Sequence, residues 1–414
     1  MSVPPPPSLP PANGDGRLAP RIVTRPVPRV AVVLGGGGLK GFAHIGVLRA
    51  LRERGIKPTV YAGASIGALL GAAAAGGMSV AEMAWRAEHV ARRDLFRLNH
   101  YQMVLERMRV ASLYAPEPLR ALIDEVVPHG TFEDLPVPVL VNTVDIVRCT
   151  QVVWGLPGLR DANLRDAVYA SCALPGFFPP GIVNGRLCVD GGTTDNMPVS
   201  IAARSGGMPP VDAVIAIDVG NADLLHDESI GGQGFAQIFM RAASAMMHAL
   251  QEAPLQHWEG PPMLLVRPKV SHLGWFAFGR TGELIEEGYR ATIEALRNLD
   301  ELLTAEGGIY PRRPVRVRVE RERCTGCGLC VAMAPRTMGL DGAGKAFALT
   351  RELSWSPADG DFVRHCPTAA ISVEELASRV LPIRDDSDTP NTDGVVPPAD
   401  ALGALAKRVD TEKV

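Results

Sequence analysis

Apolar residues in this chain fall into two alternating textures. Short unbroken runs rich in β-branched residues predict buried strands: RVAVVL at 29–34, TVYAGA at 59–64, PVPVLVNTVDI at 136–146, VDAVIAIDV at 211–219 and MLLVRP at 263–268. Between them lie FAHIGVLRALRERG at 42–55, the small-residue run IGALLGAAAAGG at 66–77, FAQIFMRAASAMMHALQEA at 235–253 and ELIEEGYRATIEALRNLDELL at 283–303, which predict helices. Strands alternating with helices predict an α/β fold whose mostly parallel sheet is covered on both faces. The uncharged stretch Val60–Met78 is too rich in alanine and glycine to predict a membrane span.

The pattern changes near GGIYPRRP at 307–314. The next segment, VRVRVERERCTGCG, alternates apolar and basic positions like a solvated strand, and a compact region is expected to end near Val373. Residues 1–28 carry proline clusters with few large apolar side chains, and residues 379–414 are polar and proline-rich, so both ends are expected to be disordered. The expected division is therefore 29–305 as one domain, 306–314 as a linker and 315–378 as a second, smaller domain.

Composition adds exclusions. A net charge of -3 gives no case for nucleic acid. No N-terminal stretch joins a basic start to an apolar run and a cleavage site, and seven cysteines, an odd number, do not suggest a disulfide framework. A reducing cytoplasm is the expected compartment.

Two glycine-rich turns carry the chemistry. GGGGLKG at 35–41 joins a predicted strand to a predicted helix, where backbone N–H groups can converge on an anion. A dinucleotide loop has the same texture, but Gly63-Ala64-Ser65 stands where a ribose-binding acid would be needed. GASIG at 63–67 fits G-x-S-x-G between strand and helix, a sharp turn that exposes a serine hydroxyl above a sheet. Ser65 is the candidate nucleophile. His44 lies one turn into the first helix and reads as a packed histidine, whereas Asp190 in LCVDGG ends a short apolar strand with open access around it.

Together GGGLKG, GASIG, DGG at 190–192, ASCALPGFFPP at 170–180 and DGGTTDNMPV at 190–199 resemble the patatin-like phospholipase family over roughly residues 29–305. The GFAHIGVL run is similar to bacterial members and to the catalytic domain of neuropathy target esterase. The resemblance implies a three-layer α/β/α hydrolase that cleaves fatty-acyl esters of lipids with a Ser-Asp dyad. Ser65 would attack the carbonyl, Asp190 would take its proton, and Gly36, Gly37 and Gly38 would supply the oxyanion hole. Lys40 would support the loop or bind lipid phosphate, unless it is a solvated surface lysine. An aspartate of ordinary pKa is a poor base at neutral pH, so the site would have to raise it. LGWFAFG at 273–279 reads as a core or lid element, or as a contact with a membrane surface.

Cys324, Cys327 and Cys330 form C-x2-C-x2-C, and Cys366-Pro367 supplies a distant fourth cysteine, an arrangement that resembles bacterial-type ferredoxins. Ala334-Pro335 stands where a two-cluster member would carry the cysteine serving its second cluster. The resemblance implies one 4Fe-4S cluster on Cys324, Cys327, Cys330 and Cys366 in a small α+β ferredoxin-like domain; four thiolates would also suit structural zinc. The remaining Cys149, Cys172 and Cys188 read as inert core residues. Two functions remain open: a lipid acyl hydrolase carrying an accessory cluster, peripheral to a membrane, and a redox or scaffold protein with a vestigial hydrolase domain that passes electrons to a partner.

Overall fold

The structure, a computed structural model, describes residues 28–97, 112–204, 210–220, 234–270, 272–275, 277–299, 302, 305–359 and 362–376. Of the ends expected to be disordered, 1–28 and 379–414, all but Pro28 lie outside the described residues.

The first half of the chain alternates as its pattern predicts. β1 (Val30–Leu34) leads through the glycine loop to α1 (Ala43–Glu53), and β2 (Pro58–Gly63) leads through Ser65 to α2 (Ile66–Ala75). Next come α3 (Val80–His89), α4 (Glu117–Val126), β3 (Val139–Asp145), β4 (Thr150–Trp154), α5 (Leu164–Cys172), β5 (Gly181–Val183) and β6 (Arg186–Asp190). Then follow α6 (Val199–Arg204), β7 (Ala213–Ile217), α7 (Gly234–Gln256), β8 (Met263–Val266), α8 (Thr281–Ala295) and β9 (Ile309–Tyr310). Among the described residues these strands form one sheet in the order β5-β6-β3-β2-β1-β7-β8-β9, with β4 also paired to β3. From β3 to β9 along that order every pairing is parallel, while β4, β5 and β6 are antiparallel.

Alternation along β1 explains the layering. Val30, Val32 and Leu34 pack into one core with α1, α2 and α8, whereas Ala31 and Val33 pack into a second core with Val199 and Ala202 of α6 and Leu255 of α7. A strand buried on both faces must be apolar at every position, as VAVVL is. The Val60–Met78 run is divided between β2 and the ten-residue α2, and no helix of the described residues is long and apolar enough to cross a membrane.

Residues 306–314, expected as a linker, contribute the edge strand β9 and the start of β10 (Arg313–Val319). Beyond it lie α9 (Leu329–Met333), β11 (Met338–Leu340), β12 (Ala346–Ala348), β13 (Glu352–Trp355) and β14 (Ile371–Glu375). β10 sits between antiparallel β13 and β14, and β11 pairs with β12. A small core of Val317, Met338, Phe362 and Ile371 includes Ala334, so the position that lacks a cysteine is filled by a buried methyl group.

Candidate functional site

β1 and β2 are parallel neighbours, so the loops after them emerge side by side at the same edge of the sheet. Ser65 turns that edge with φ 54° and ψ −128°, a left-handed conformation that costs a non-glycine residue on the order of 1–3 kcal/mol. Its N–H donates to the Ser171 hydroxyl at 2.9 Å, and that hydroxyl donates to the Asn142 carbonyl on β3 at 2.7 Å. Gly67 permits the close seating of α2, because a Cβ there would lie 1.9 Å from the Leu34 carbonyl oxygen.

Asp190 ends β6, where it is held opposite Thr143 of β3. The Ser65 hydroxyl hydrogen-bonds its carboxylate, and the Gly192 N–H donates to Oδ1 at 2.8 Å. Burial pushes the carboxyl up to about 6, against the lowering effect of these two hydrogen bonds. The structure thus brings together the two side chains that the sequence singled out.

The glycine loop is fixed residue by residue. Gly35 N–H donates to the Ile217 carbonyl at 3.0 Å, and its own carbonyl accepts from His44 Nε2 at 2.8 Å. Gly36 N–H donates to the Asn196 carbonyl at 3.1 Å, so this N–H, counted from the sequence among the oxyanion donors, already has a partner. Gly37 and Gly38 follow at the start of a short 3-10 helix over Gly38–Phe42. Gly38 has φ 58°, and a Cβ there would approach the Trp275 carbonyl oxygen to 2.5 Å, two independent reasons for glycine. The loop lies against Ser65: a Cβ built at Gly36 would be 3.3 Å from that of Ser65.

His44 is the packed histidine expected, and it holds the loop. Burial pushes its pKa down to about 4, so the ring is neutral, with the hydrogen on Nε2 facing Gly35. Lys40 is wholly buried rather than a solvated surface lysine, its Nζ 5.9 Å from the centroid of the Trp275 ring. Leu273 is buried and Trp275 lines the Ser65 cavity, which gives part of the LGWFAFG cluster a place in the wall of the site. Phe276 lies outside the described residues.

The cavity over Ser65 and Asp190 is walled by Leu39, Phe42, Leu69, Phe96, Leu119 and Phe178, among others. Apart from Ser65 and Asp190, its side chains are hydrocarbon, aromatic or thiol. The thiol is Cys172, which is a cavity-wall residue rather than a core one. Cys188 is buried, as expected, but Cys149 is exposed, because it occupies the β3–β4 turn with φ 53°.

Four residues with clear positions around the site had no role assigned from the sequence. Ser171 holds the elbow. Asn142 donates through Nδ2 to the carbonyls of Gly191 at 3.1 Å and Asp195 at 2.7 Å, bracing the loop after Asp190. Asn196 and Gln251 meet at 3.1 Å behind Gly36.

At the other end of the chain, Cys324, Cys327, Cys330 and Cys366 line a single cavity. Ala346 N–H points at Cys324 Sγ at 3.4 Å and Ala370 N–H at Cys366 Sγ at 3.3 Å. Burial alone would raise the Cys366 thiol, but hydrogen bonds from Thr368 and Ala370 outweigh it and lower the pKa. Among the described residues no three His, Cys, Asp or Glu side chains are gathered closely enough to hold a metal ion. The four cysteines surround a common space, and an all-thiol donor set receiving N–H groups has the chemistry that an iron-sulfur cluster needs.

Residues 32–203 match the family model of patatin-like phospholipases, and residues 317–373 match that of the 4Fe-4S single cluster domain. The chain carries a patatin-like phospholipase domain, with homologues in the NTE family. An NTE family protein of Mycobacterium tuberculosis is 35% identical over 50% of this chain and 50% of its own length. Lysophospholipase NTE1 of Mycosarcoma maydis is 28% identical over 70% of this chain and 16% of its own. The human patatin-like phospholipase domain-containing protein 6 is 36% identical over 47% and 14%. The chain thus spans about half the length of the mycobacterial relative. Among solved structures, VipD from Legionella pneumophila aligns over 68% of this chain and 67% of its own at 16% identity, with a TM-score of 0.39.

Proposed function

We propose that this protein is a serine lipid acyl hydrolase acting on phospholipid or lysophospholipid-type esters. The observation that carries the reading is the Ser65 hydroxyl hydrogen-bonded to a buried Asp190 whose pKa is raised to about 6. At neutral pH that carboxyl is mostly ionised and still more basic than an ordinary aspartate, which favours removal of the serine proton. Ser65 attacks the acyl carbonyl as its proton passes to Asp190. The proton then goes to the leaving alcohol, the acyl group stays on Ser65, and water activated by Asp190 releases the fatty acid. Gly37 and Gly38 N–H stabilise the oxyanion, because Gly36 N–H is engaged by Asn196. Lys40, buried beside Trp275, supports the loop.

The apolar cavity receives the acyl chain, so the substrate is a long-chain ester presented from a lipid surface. Residues 29–305 form the hydrolase domain in this reading, and 315–378 form a ferredoxin-like module. Cys324, Cys327, Cys330 and Cys366 would hold one 4Fe-4S cluster, which supplies one-electron chemistry or structural support when bound. The protein is assigned to the cytoplasm, at the membrane periphery.

The test is a pair of measurements on wild type and Ser65→Ala: hydrolysis of a lysophospholipid, and labelling by a fluorophosphonate serine probe. The variant should lose both while keeping its melting temperature and iron content. Hydrolysis that survives in Ser65→Ala overturns the dyad. A wild-type protein that neither hydrolyses nor labels, yet reduces an electron acceptor, supports the vestigial-domain alternative instead.

A further inference from the structure

Asn196 grips Gly36 at both ends of the residue. Its backbone carbonyl accepts the Gly36 N–H at 3.1 Å, and its side-chain Nδ2 donates to the Gly36 carbonyl at 3.0 Å. The second Nδ2 hydrogen goes to Gln251 Oε1 at 3.1 Å, which fixes the amide about its own axis. Both residues are more than nine-tenths buried. With Gly35 tied to Ile217 and His44, all four backbone polar groups of Gly35 and Gly36 are held.

This has a directional consequence. In a planar trans peptide the carbonyl and the following N–H point in opposite directions. Fixing the Gly36 carbonyl on Asn196 therefore fixes the direction of the Gly37 N–H. Gly37 has no Cβ and a φ near 170°, so little in its own chemistry would hold that peptide in one orientation.

The amide has one orientation compatible with these contacts. Only the NH2 end can bond two acceptors, the Gly36 and Gln251 oxygens. Asn196 Oδ1 is left without a partner among the described residues, directed at the gap between Gly36 and Gly192, where an added Cβ would come within 2.3 and 2.7 Å of it. An unpartnered buried acceptor is costly, and it persists here because turning the amide over would set oxygen against the Gly36 carbonyl.

We infer that Asn196, with Gln251 behind it, is a positioning residue that aims the Gly37 N–H at the developing oxyanion of the Ser65 reaction. The inference rests on the reading of Ser65 as nucleophile. Asn196 touches no reacting atom; it acts through the Gly36–Gly37 peptide. Asn196→Asp keeps the side-chain shape but presents carboxylate oxygens to the Gly36 carbonyl, which repels that peptide out of place. Asn196→Ala removes the grip without repulsion.

The experiment measures kcat and KM for a p-nitrophenyl acyl ester in wild type, Ser65→Ala, Asn196→Ala and Asn196→Asp. It also measures affinity for a trifluoromethyl ketone of the same chain length, whose serine adduct carries an oxyanion, and for the matching ether, which cannot react. Losing one oxyanion donor typically lowers kcat by about 10²–10³-fold. Asn196→Asp should lose kcat on that scale and trifluoromethyl ketone affinity in parallel, with KM and ether affinity changed less than about threefold. Asn196→Ala should fall between it and wild type. Equal losses for ketone and ether, or unchanged kcat in both folded variants, overturn the inference and leave the Ser65 reading intact. A wild type with no turnover that Ser65→Ala removes overturns the reading, and the inference with it.

Discussion

The Ser171 hydroxyl accepts the Ser65 backbone N–H at 2.9 Å and donates its own hydrogen to the Asn142 carbonyl at 2.7 Å. One side chain from α5 thus ties the strained Ser65 backbone to the central sheet. Ser171→Ala leaves the half-buried Ser65 N–H and the buried Asn142 carbonyl without partners, where a fully buried group costs about 1–3 kcal/mol. We expect a loss of about 2–4 kcal/mol in urea denaturation, with the strain at Ser65 free to relax and kcat down at least tenfold. Unchanged stability and unchanged kcat together would show that the Ser171 bridge is not made.

If the acyl chain occupies the cavity as proposed, the cavity wall sets the range of chain lengths. Each methylene moved from water into apolar surroundings gains about 0.8 kcal/mol, close to a fourfold change in binding. For a series of p-nitrophenyl esters, kcat/KM should climb by up to about fourfold per added methylene until the chain fills the space between Phe42, Leu69 and Phe178. Leu119→Trp, which places bulk in that wall, should move the plateau to shorter chains. A flat profile in wild type would place the acyl chain elsewhere.

The elements that were legible in the sequence are those governed by local rules. Gly38 must be glycine for its φ of 58°, Ser65 must sit between glycines at a tight elbow, and β1 must be apolar throughout, so each leaves a short readable pattern. Ser171 and Asn196 left none, because their side chains act on Ser65 and Gly36 across 106 and 160 residues through one side-chain hydrogen bond each. Asn196 lay inside the recognised DGGTTDNMPV stretch without a role, since a neutral amide carries no signal of what it will hold. Lys40 could be read from the sequence as a loop support, a lipid-phosphate contact or a solvated surface lysine, and it is buried beside Trp275. Cys149 was expected inside, but it stands between Arg148 and Thr150 in the β3–β4 turn and is exposed.

The cysteines offer a test that needs no enzymatic readout. If Cys324, Cys327, Cys330 and Cys366 are the ligand set, changing any one of them to Ser should lower iron and acid-labile sulfide together in anaerobically purified protein. It should also bleach the visible absorbance of the cluster. Cys149→Ser, at an exposed turn outside the module, should leave all three unchanged. Zinc in place of iron and sulfide, bound in the same anaerobic preparation, would assign the four thiolates to a structural ion instead.

The raised pKa of Asp190 makes opposite demands on activity and stability. In its proposed role as general base it must be ionised, so kcat/KM should rise with pH through about 6 and level off above it. For stability the sign reverses. The folded protein holds the Asp190 proton more tightly than the unfolded chain, so this group's contribution is fully present below about 3.8 and is lost as pH rises through about 6. Above that range an ionised, buried carboxylate costs on the order of 3 kcal/mol, from about two pKa units at 1.36 kcal/mol each. Asp190→Asn should therefore abolish hydrolysis yet melt at a higher temperature than wild type at pH 8, with the gain shrinking toward pH 5. An inactive variant whose melting temperature tracks wild type at every pH would mean that Asp190 carries an ordinary pKa, and that its basicity comes from the approach of substrate rather than from burial.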